Sequence, residues 1–439
     1  MNRRDFLKTG SVATGALGLT NAHLLGTPPQ QRRPRMAAIY TVCYHRSHAH
    51  VLLENFLMPY LFNGRITQPA VDVVSIYTDQ RRQEGDLTNG VSQRFNIPVY
   101  RSIREALCCG GNQLAVDCVL LIGEHGTYPR TDLGQVMYPR KRFFYETLDV
   151  MRQANRFVPI FNDKHLSYRW DWARSMYDLS LKYNIPFMAG SSVPLAQRRP
   201  PLEIENGTQL QEAVAIHGGP PESYDFHGLE ILQSIVEFRR GGESGVRRVE
   251  FLRGDAVWNA ARTRRWSLSL AEAAVRAEFG REINFREGIP NEGRVEPHAI
   301  LIEYQDGFRG TVLKLGQSAT RWSIGYKVRN QDEIHATSWH VGPWRNRNLF
   351  KALAHAIQDH FVNRRSPYPV ERTLLTTGIL ESAMRSRHQN GRAIETRHLR
   401  IPYQPRDFRA MREMGASWRI ITDQTEEPRG LGQPDVGNQ

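Results

Sequence analysis

The chain has 439 residues, 40% of them hydrophobic and 23% charged, so it can bury more than one core and is not a wholly disordered protein. Fifty-eight Lys and Arg against 45 Asp and Glu give a formal net charge of +13. No zinc-finger, helix-turn-helix or RNA-binding aromatic motif accompanies this charge, which therefore indicates a solvated basic surface that favours anionic small molecules over a nucleic-acid partner.

The N-terminus has the pattern of a twin-arginine export signal. Asn2–Lys8 reads NRRDFLK, and the small, weakly apolar residues of 11–25 follow it. This apolar part is too short to span a bilayer. We therefore expect residues 1–35 to be an export signal and linker read by the twin-arginine machinery, and the protein to be periplasmic or extracytoplasmic. A basic amphipathic tail is the alternative, and retention by an uncleaved signal stays open because 21–26 contains no evident cleavage site.

Residues 36–190 alternate strands with helices. Strands are predicted at 36–43, 71–77, 96–100, 116–122, 157–161 and 186–189. Helices are predicted at 48–61, 103–107, 138–155 and 170–183. This alternation predicts an α/β domain with a Rossmann-like, doubly wound parallel sheet.

From residue 191 the pattern changes to successive strands with few helices between them. Strands are predicted at 213–217, 246–252, 298–304, 310–315, 323–329 and 333–337, and helices at 224–238, 348–363 and 370–387. This order predicts a C-terminal α+β domain, 191–405, whose open, largely antiparallel sheet leaves one face for water or a partner. The Gly- and Pro-rich end of the extension 406–439 is predicted to be disordered.

Two apolar strands, 116–122 and 157–161, end abruptly in ionisable residues. Because the carboxyl ends of parallel strands meet at one edge of a sheet, these side chains are expected to share one crevice, where open α/β sheets bind ligands. They are Glu124, His125, Asp163, Lys164 and His165. This crevice is the predicted active site.

The order of parts from Met36 to Leu399 resembles the glucose-fructose oxidoreductase / inositol dehydrogenase / MocA (Gfo/Idh/MocA) superfamily. Four stretches carry the likeness: the strand 71–79 with its terminal acid, the helix and Asp-led strand of 100–119, Asn162–Ser167 in place of the family's Glu-Lys-Pro, and the closing helices of 350–391. Lys164 falls on the family's lysine.

The resemblance implies an oxidoreductase that acts on a sugar, polyol or related hydroxy compound with tightly bound NAD or NADP. It also implies a homo-oligomer that associates through the C-terminal sheet. A base must remove the hydroxyl proton while hydride leaves the carbon, and a buried lysine beside other cations can be that base. The implied catalytic residues are Lys164 and His227; the cofactor-binding residues are Tyr44, His45, Arg46, Asp79, Glu124 and His125; the substrate-binding residues are Asp163, His165 and Asp225.

Besides the altered Glu-Lys-Pro, in which Asp163 and His165 flank the lysine, the chain departs from the family pattern at two places. The phosphate loop is Gly-rich in the family, whereas residues 41–49 contain no glycine. His227 fits the family's histidine, but Ser223 stands at the preceding acidic position and Asp225 lies two residues before the histidine. Each assigned residue also has a plainer interpretation: Lys164 as a structural partner of Asp163 or Glu124, His227 as a helix-cap residue, and Asp79 as a loop carboxylate.

These departures keep other functions open. The second hypothesis retains the fold without a redox cofactor, as a carbohydrate-processing enzyme, metal-assisted or not, or a ligand-binding protein that uses the same cleft. A third is a dimeric scaffold that presents its sheet. Histidines are numerous near the predicted edge, but none has ligand spacing on one helix face or strand, so no metal site is predicted. The loop 44–48 discriminates between the first two hypotheses, because side chains that fill the pyrophosphate space favour the second.

Overall fold

The computed structural model describes residues 32–431, so the twin-arginine pattern at Asn2–Lys8 lies outside the described residues. In chain order the strands are β1 (Arg35–Tyr40), β2 (Tyr60–Phe62), β3 (Arg65–Thr67), β4 (Asp72–Thr78), β5 (Val99–Tyr100), β6 (Cys118–Ile122), β7 (Ile160–Asp163), β8 (Phe187–Gly190), β9 (Gln197–Arg199), β10 (Leu210–His217), β11 (Val246–Arg253), β12 (His298–Tyr304), β13 (Arg309–Lys314), β14 (Trp322–Val328), β15 (Ile334–His340) and β16 (Ile394–Glu395). The helices are α1 (His48–Leu57), α2 (Thr88–Phe95), α3 (Ile103–Leu107), α4 (Arg140–Gln153), α5 (Trp170–Lys182), α6 (Ser223–Val236), α7 (Asp255–Arg262), α8 (Leu268–Phe279), α9 (Asn346–Asn363) and α10 (Val370–His388). Across residues 32–431, no helix combines the length and apolar character needed to cross a lipid bilayer.

The first sheet has six parallel strands in the order β5-β4-β1-β6-β7-β8. Apart from Arg35, which begins β1, its middle strands β1 and β6 are apolar and buried, as expected for a sheet with helices on both faces. The strand order reverses direction between β1 and β6, which is the position where doubly wound sheets bind ligands. This sheet confirms the predicted Rossmann-like fold class.

The second sheet has eight strands in the order β16-β11-β12-β13-β10-β14-β15-β9. Its pairs are antiparallel except for β10 with β13, which is parallel. This confirms the predicted mixed and largely antiparallel C-terminal sheet. Helices α6 and α10 pack on one side of it, and α10 also contacts β8 and α5 of the first sheet's layer.

Two helices that the sequence analysis did not predict, α7 and α8, cover the other face of the second sheet. Apolar side chains at helical spacing, such as Leu270, Ala274 and Val275, pack against Val214 and Ile216 of β10. The prediction of a face left open to water or a partner is therefore wrong where α8 contacts β10, β14 and β15. Oligomerisation through this sheet stays a prediction.

Three smaller differences have local causes. Helix α1 ends at Leu57 instead of residue 61 because Pro59 follows and the chain turns into the β2–β3 hairpin. Helix α2 occupies a segment for which no element was predicted. The C-terminal segment 424–431, predicted to be disordered, is anchored by ion pairs of Glu427 to Arg46 and Arg347, and Leu431 is buried.

Candidate functional site

A cavity of about 790 Å³ lies at the carboxyl ends of β6, β7 and β8. Residues that follow these strands line one side of it, namely Glu124, Lys164 and Ser192. The opposite side comes from the segment before α6 and from the start of β14. The cavity therefore lies between the two sheets, at the edge where the sequence predicted the crevice.

Glu124 is the electrostatic centre of this cavity. Its two carboxylate oxygens accept from Lys164 Nζ at 2.8 Å and from an Arg140 guanidinium nitrogen at 2.5 Å. Burial opposes ionisation of Glu124, but the charges of Lys164 and Arg140 outweigh it and hold the pKa of Glu124 well below its usual value. Gly123 makes this arrangement possible, because a Cβ there would lie 2.5 Å from Arg140 Cγ.

A chain of hydrogen bonds leads from the Glu124–Arg140 pair to a second carboxyl group, that of Glu222. Arg140 can only donate, so His165 Nδ1 accepts from it at 2.9 Å and His165 Nε2 donates to Glu222 Oε1 at 3.1 Å. Burial and the Arg140 charge hold the pKa of His165 well below its usual value, so its ring is neutral. Burial and the nearby Glu124 raise the pKa of Glu222 to about 7. Glu222 can therefore exchange a proton near neutral pH.

Three imidazoles around the cavity are each fixed through one ring nitrogen. His48 Nδ1 lies 2.6 Å from Asp163 Oδ2, His227 Nδ1 lies 2.6 Å from Ser191 Oγ, and His125 Nδ1 lies 3.1 Å from the Tyr44 hydroxyl. Burial lowers the pKa of His125 to about 4 and that of His227 well below its usual value, in both cases helped by neighbouring cationic groups. Both rings are therefore neutral near pH 7.

Backbone strain is concentrated at this cavity. Fifteen described residues other than glycine have positive φ, and seven of the ten outside the cavity are asparagine, which tolerates this conformation. None of the five that line the cavity is asparagine: Arg46, His125, Lys164, Glu222 and Arg345. Strained residues with large side chains persist only where packing enforces them, and they cluster at functional sites.

The floor of the cavity on the second-sheet side is aromatic. The rings of Tyr224 and Trp322 stack with centroids 5.2 Å apart and planes 9° from parallel, and Trp322 lies 5.4 Å from the His227 ring. Gly219 permits the position of Tyr224, because a Cβ on Gly219 would lie 2.0 Å from that ring. A flat aromatic surface beside hydrogen-bonding groups suits a sugar ring.

The structure brings together part of the predicted site. Five of the predicted residues line the cavity: Arg46, Glu124, His125, Lys164 and His227. Lys164 and His227, the predicted catalytic pair, thus face one space, while their roles stay predictions. Asp163, His165 and Tyr44 lie behind this lining and contact it through the hydrogen bonds described above. His45 is exposed and does not line the cavity.

Asp225 does not line the cavity, which disagrees with its predicted contact to substrate. Its Oδ1 lies 2.9 Å from His217 Nε2 and 2.6 Å from His298 Nε2, and its Oδ2 accepts from the Glu222 backbone N–H. Burial opposes its ionisation, but the two imidazoles hold its pKa far below its usual value. This His-Asp-His cluster is where a metal ion would fit among the described residues, since its three donor atoms lie within 4.8 Å of one another.

On the β4 side of the position between β1 and β6, Asp79 is hydrogen-bonded to side chains of the protein itself. Asp79 Oδ1 accepts from the Tyr77 hydroxyl at 2.8 Å and from Arg142, and Oδ2 accepts from the Tyr128 hydroxyl at 2.6 Å. Burial opposes ionisation, yet these hydrogen bonds hold the pKa of Asp79 below its usual value. Both oxygens that would bind a ribose are thus already hydrogen-bonded.

The segment after β6 closes the same side. Gln80 Nε2 donates to the Thr127 carbonyl at 2.8 Å, and the Thr127 N–H donates to Gln80 Oε1 at 2.9 Å. Gly126 allows this close approach, because a Cβ there would lie 2.8 Å from Gln80 Oε1. The segment therefore lies over the end of β4, where the adenosine half of a dinucleotide rests in a Rossmann fold.

The loop after β1 also differs from a phosphate loop in its hydrogen bonds. The Tyr44 N–H donates to Ser47 Oγ, the Ser47 N–H to the Tyr44 carbonyl, and the Arg46 N–H to His50 Nδ1. The Arg46 guanidinium pairs with Glu427. In the described conformation the N–H groups of Tyr44, Arg46 and Ser47 are therefore bonded within the loop and are not free to bind a pyrophosphate.

No family model and no curated protein match this sequence. The solved structures that match its fold include myo-inositol dehydrogenase from Lactobacillus casei in complex with NAD(H) and myo-inositol (13% identity, TM-score 0.53), GenD2 from gentamicin A biosynthesis in complex with NAD (13%, 0.52), and a probable dehydrogenase from Thermotoga maritima (12%, 0.51). Each match covers 83% of this chain and, in the same order, 97%, 96% and 99% of the other. The resemblance to Gfo/Idh/MocA-type dehydrogenases is thereby confirmed for the fold.

Proposed function

We propose that the protein is an oxidoreductase that oxidises or reduces a hydroxyl-bearing carbon of a sugar, polyol or related compound. The observation that carries this proposal is the cavity between the two sheets, which sets neutral imidazoles and the Lys164–Glu124 pair beside an aromatic floor. The fold, shared over 83% of the chain with dehydrogenases bound to NAD, supports it. A nicotinamide cofactor, NAD or NADP, would supply the hydride acceptor.

The chain's own residues would handle the substrate and its proton. Lys164 Nζ and the neutral His227 ring would hold the reacting hydroxyl, because both residues line the cavity. Each is held in place by a hydrogen bond to the protein, Lys164 to Glu124 and His227 to Ser191. Glu222 is the residue best suited to exchange the proton, since general acid–base catalysis is most effective when the pKa lies near the working pH. Tyr224 and Trp322, which stack on each other, would contact the sugar ring with the parts of their rings that line the cavity.

The test of this proposal is a search for bound dinucleotide. Protein purified without added cofactor is denatured, and the released small molecules are examined by absorbance and mass. Because the β4 side is closed in the described conformation, binding requires that the Gln80–Thr127 hydrogen bonds open. We expect near-stoichiometric NAD or NADP, and binding that strengthens in Gln80→Ala. Protein that carries no dinucleotide and, like Gln80→Ala, fails to bind added NAD or NADP would contradict the proposal.

The closed β4 side favours a second candidate function. In it, the same cavity performs cofactor-independent acid–base chemistry on a carbohydrate, with Glu222 as the proton-exchanging group. The internally hydrogen-bonded loop after β1 is the specific observation in its favour. A lack of dinucleotide together with proton exchange at a sugar carbon in heavy water, measured by NMR, would support this function over the first.

We also propose export by the twin-arginine route, on the sequence pattern Asn2–Lys8. Replacing Arg3 and Arg4 together with lysine is expected to leave the full-length protein in the cytoplasm, because the export machinery recognises the arginine pair. Cell fractionation of the two forms measures this. The single change Lys8→Arg, which keeps both arginines and the charge, is the control, and an unchanged distribution for the double variant would contradict the proposal.

A further inference from the structure

The cavity carries a marked excess of positive charge. Glu124 and Glu222 are its two carboxyl groups, and the proton affinity of Glu222 makes it only partly charged near pH 7. Five cationic residues line the same cavity: Arg46, Arg130, Lys164, Arg345 and Arg387. A cleft lined by one sign of charge concentrates ligands of the opposite sign.

Three of these cations have no carboxylate partner among the described residues. Arg46 is paired with Glu427 and Lys164 with Glu124. Within residues 32–431, Arg345 and Arg387 form no ion pair, and Arg130 donates only to the Gly134 carbonyl at 2.7 Å. The Arg387 guanidinium carbon lies 5.9 Å from the centre of the Phe251 ring. These three arginines come from separate elements, namely the segment after β6, the start of α9 and the last turn of α10.

Arg345 is held in a conformation that ordinary residues avoid. Its φ of 51° and ψ of −126° fall in a region that residues with a side chain rarely adopt. Its carbonyl accepts from the N–H groups of Asn348 and Leu349, so it begins α9, and asparagine or glycine would take this position with less strain. The strained backbone fixes the position from which the Arg345 side chain, which has no carboxylate partner, extends at the rim of the cavity.

We propose that the cavity selects an acidic sugar, a carbohydrate that carries a carboxylate or a phosphate, and that Arg130, Arg345 and Arg387 bind its anionic group. The planar guanidinium matches both oxyanions with paired hydrogen bonds. The sugar ring rests on the Tyr224–Trp322 floor, and its hydroxyls meet Lys164 and His227. This inference rests on the proposed function only in using the same cavity, because recognition of the anion needs no cofactor.

The test is calorimetric binding of matched sugars to the purified full-length protein, without added dinucleotide. Glucuronate and glucose 6-phosphate are the acidic probes, and glucose is the neutral probe of the same ring. We expect an acidic probe to bind at least tenfold more tightly than glucose, and this difference to shrink as salt rises. The two acidic probes distinguish a carboxylate from a phosphate as the preferred group.

Variants assign the effect to the arginines. Arg345→Gln and Arg387→Gln are each expected to weaken binding of the preferred acidic probe by about tenfold and to leave glucose binding unchanged. Arg281→Gln removes an exposed arginine outside the cavity and is expected to change neither. Because Arg345 and Arg387 are both exposed, we expect the variants at these positions to fold, and circular dichroism measures this.

Each outcome has a definite meaning. Equal binding of acidic and neutral probes, no binding of any acidic probe at millimolar concentration, or equal losses in Arg281→Gln and Arg345→Gln would overturn the inference. Acidic-sugar selectivity in a protein that neither carries a dinucleotide nor, as wild type or Gln80→Ala, binds added NAD or NADP would uphold the inference and contradict the proposed oxidoreductase. Bound dinucleotide with turnover of neutral polyols only would uphold the proposed oxidoreductase and overturn the inference.

Discussion

Replacing Glu222 with glutamine is expected to make the protein more stable at pH 8 and to leave its stability unchanged at pH 4. Burial raises the pKa of Glu222 from an ordinary value of 4.5 to about 7, so the folded state keeps a proton that the unfolded chain has released between these values. Stability falls with rising pH wherever the folded state binds more protons. Glutamine resembles the protonated acid in shape and has no proton to lose.

The expected gain follows from the width of this pH window. Each pH unit changes the free energy of unfolding by about 1.4 kcal/mol when the two states differ by one proton, so the loss in the native protein reaches about 3 kcal/mol between pH 4.5 and pH 7. Urea denaturation at pH 4 and pH 8 measures the difference. Glu205→Gln, at an exposed carboxylate, is the control and should shift stability by less than about 0.5 kcal/mol at either pH.

The same variant tests the assigned role of Glu222 in proton exchange. Loss of a general acid–base group lowers turnover by roughly 10²- to 10⁴-fold, and the limb of the pH–rate profile near pH 7 should vanish with it. The charged groups that act on Glu222, namely Glu124, Arg140, Lys164 and Asp225, remain in place. A gain in stability with unchanged turnover would show that the buried acid is structural and that another group exchanges the proton.

The sequence was sufficient to predict the first-sheet half of the site. Strands β6 and β7 are uninterrupted apolar runs, so their ends are visible in the sequence, and Glu124 and Lys164 come after them. Because the two strands are neighbours in register, with Leu121 opposite Asn162, the side chains beyond their ends must lie close together. The Glu124–Lys164 contact is one of the two structural pairings that the sequence predicts for Lys164.

The second-sheet half could not be predicted in this way. Glu222 precedes α6 with φ of 66° and ψ of −71°. Gly218–Pro221 predicts a turn before it, but no local pattern directs the Glu222 side chain toward Glu124. Arg140, at the start of α4, resembles a surface arginine in the sequence, and only the absent side chain of Gly123 lets it reach Glu124. Asp79 was correctly placed at the end of β4, but its partner Tyr128 lies 49 residues further on, in a segment with no recognisable secondary structure.

Helix α8 was missed for a different reason, because its signal was present. Leu270, Ala271, Ala274 and Val275 recur at the spacing of one helix face and are buried. The sequence pattern predicts successive strands with few helices between them, and residues 253–297 are assigned no element. The helix covers part of the sheet face that the sequence predicts to be open. An interface on the uncovered part of that face must therefore be smaller than the sheet itself.

Replacing Glu124 with glutamine is expected to destabilise the protein far more than replacing Lys164 with methionine. Glu124 is the shared acceptor of two buried cations, so its loss leaves both Lys164 and Arg140 without a carboxylate, whereas loss of Lys164 leaves Glu124 paired with Arg140. Removing one partner of a buried ion pair costs about 3–5 kcal/mol when a charge is left uncompensated. We expect that loss in Glu124→Gln, and less than about 2 kcal/mol in Lys164→Met, in denaturation at pH 7.

The comparison distinguishes a pairwise contact from a shared one. If only the Lys164–Glu124 contact mattered, both variants would remove the same interaction and lose the same free energy. The glutamine amide can accept from one cation only by turning its NH₂ group toward the other, so an unequal loss follows from the presence of Arg140. Equal losses would mean that Arg140 does not compensate Glu124. In that case Lys164 would be principally a structural partner, and its proposed contact with substrate would lose its main support.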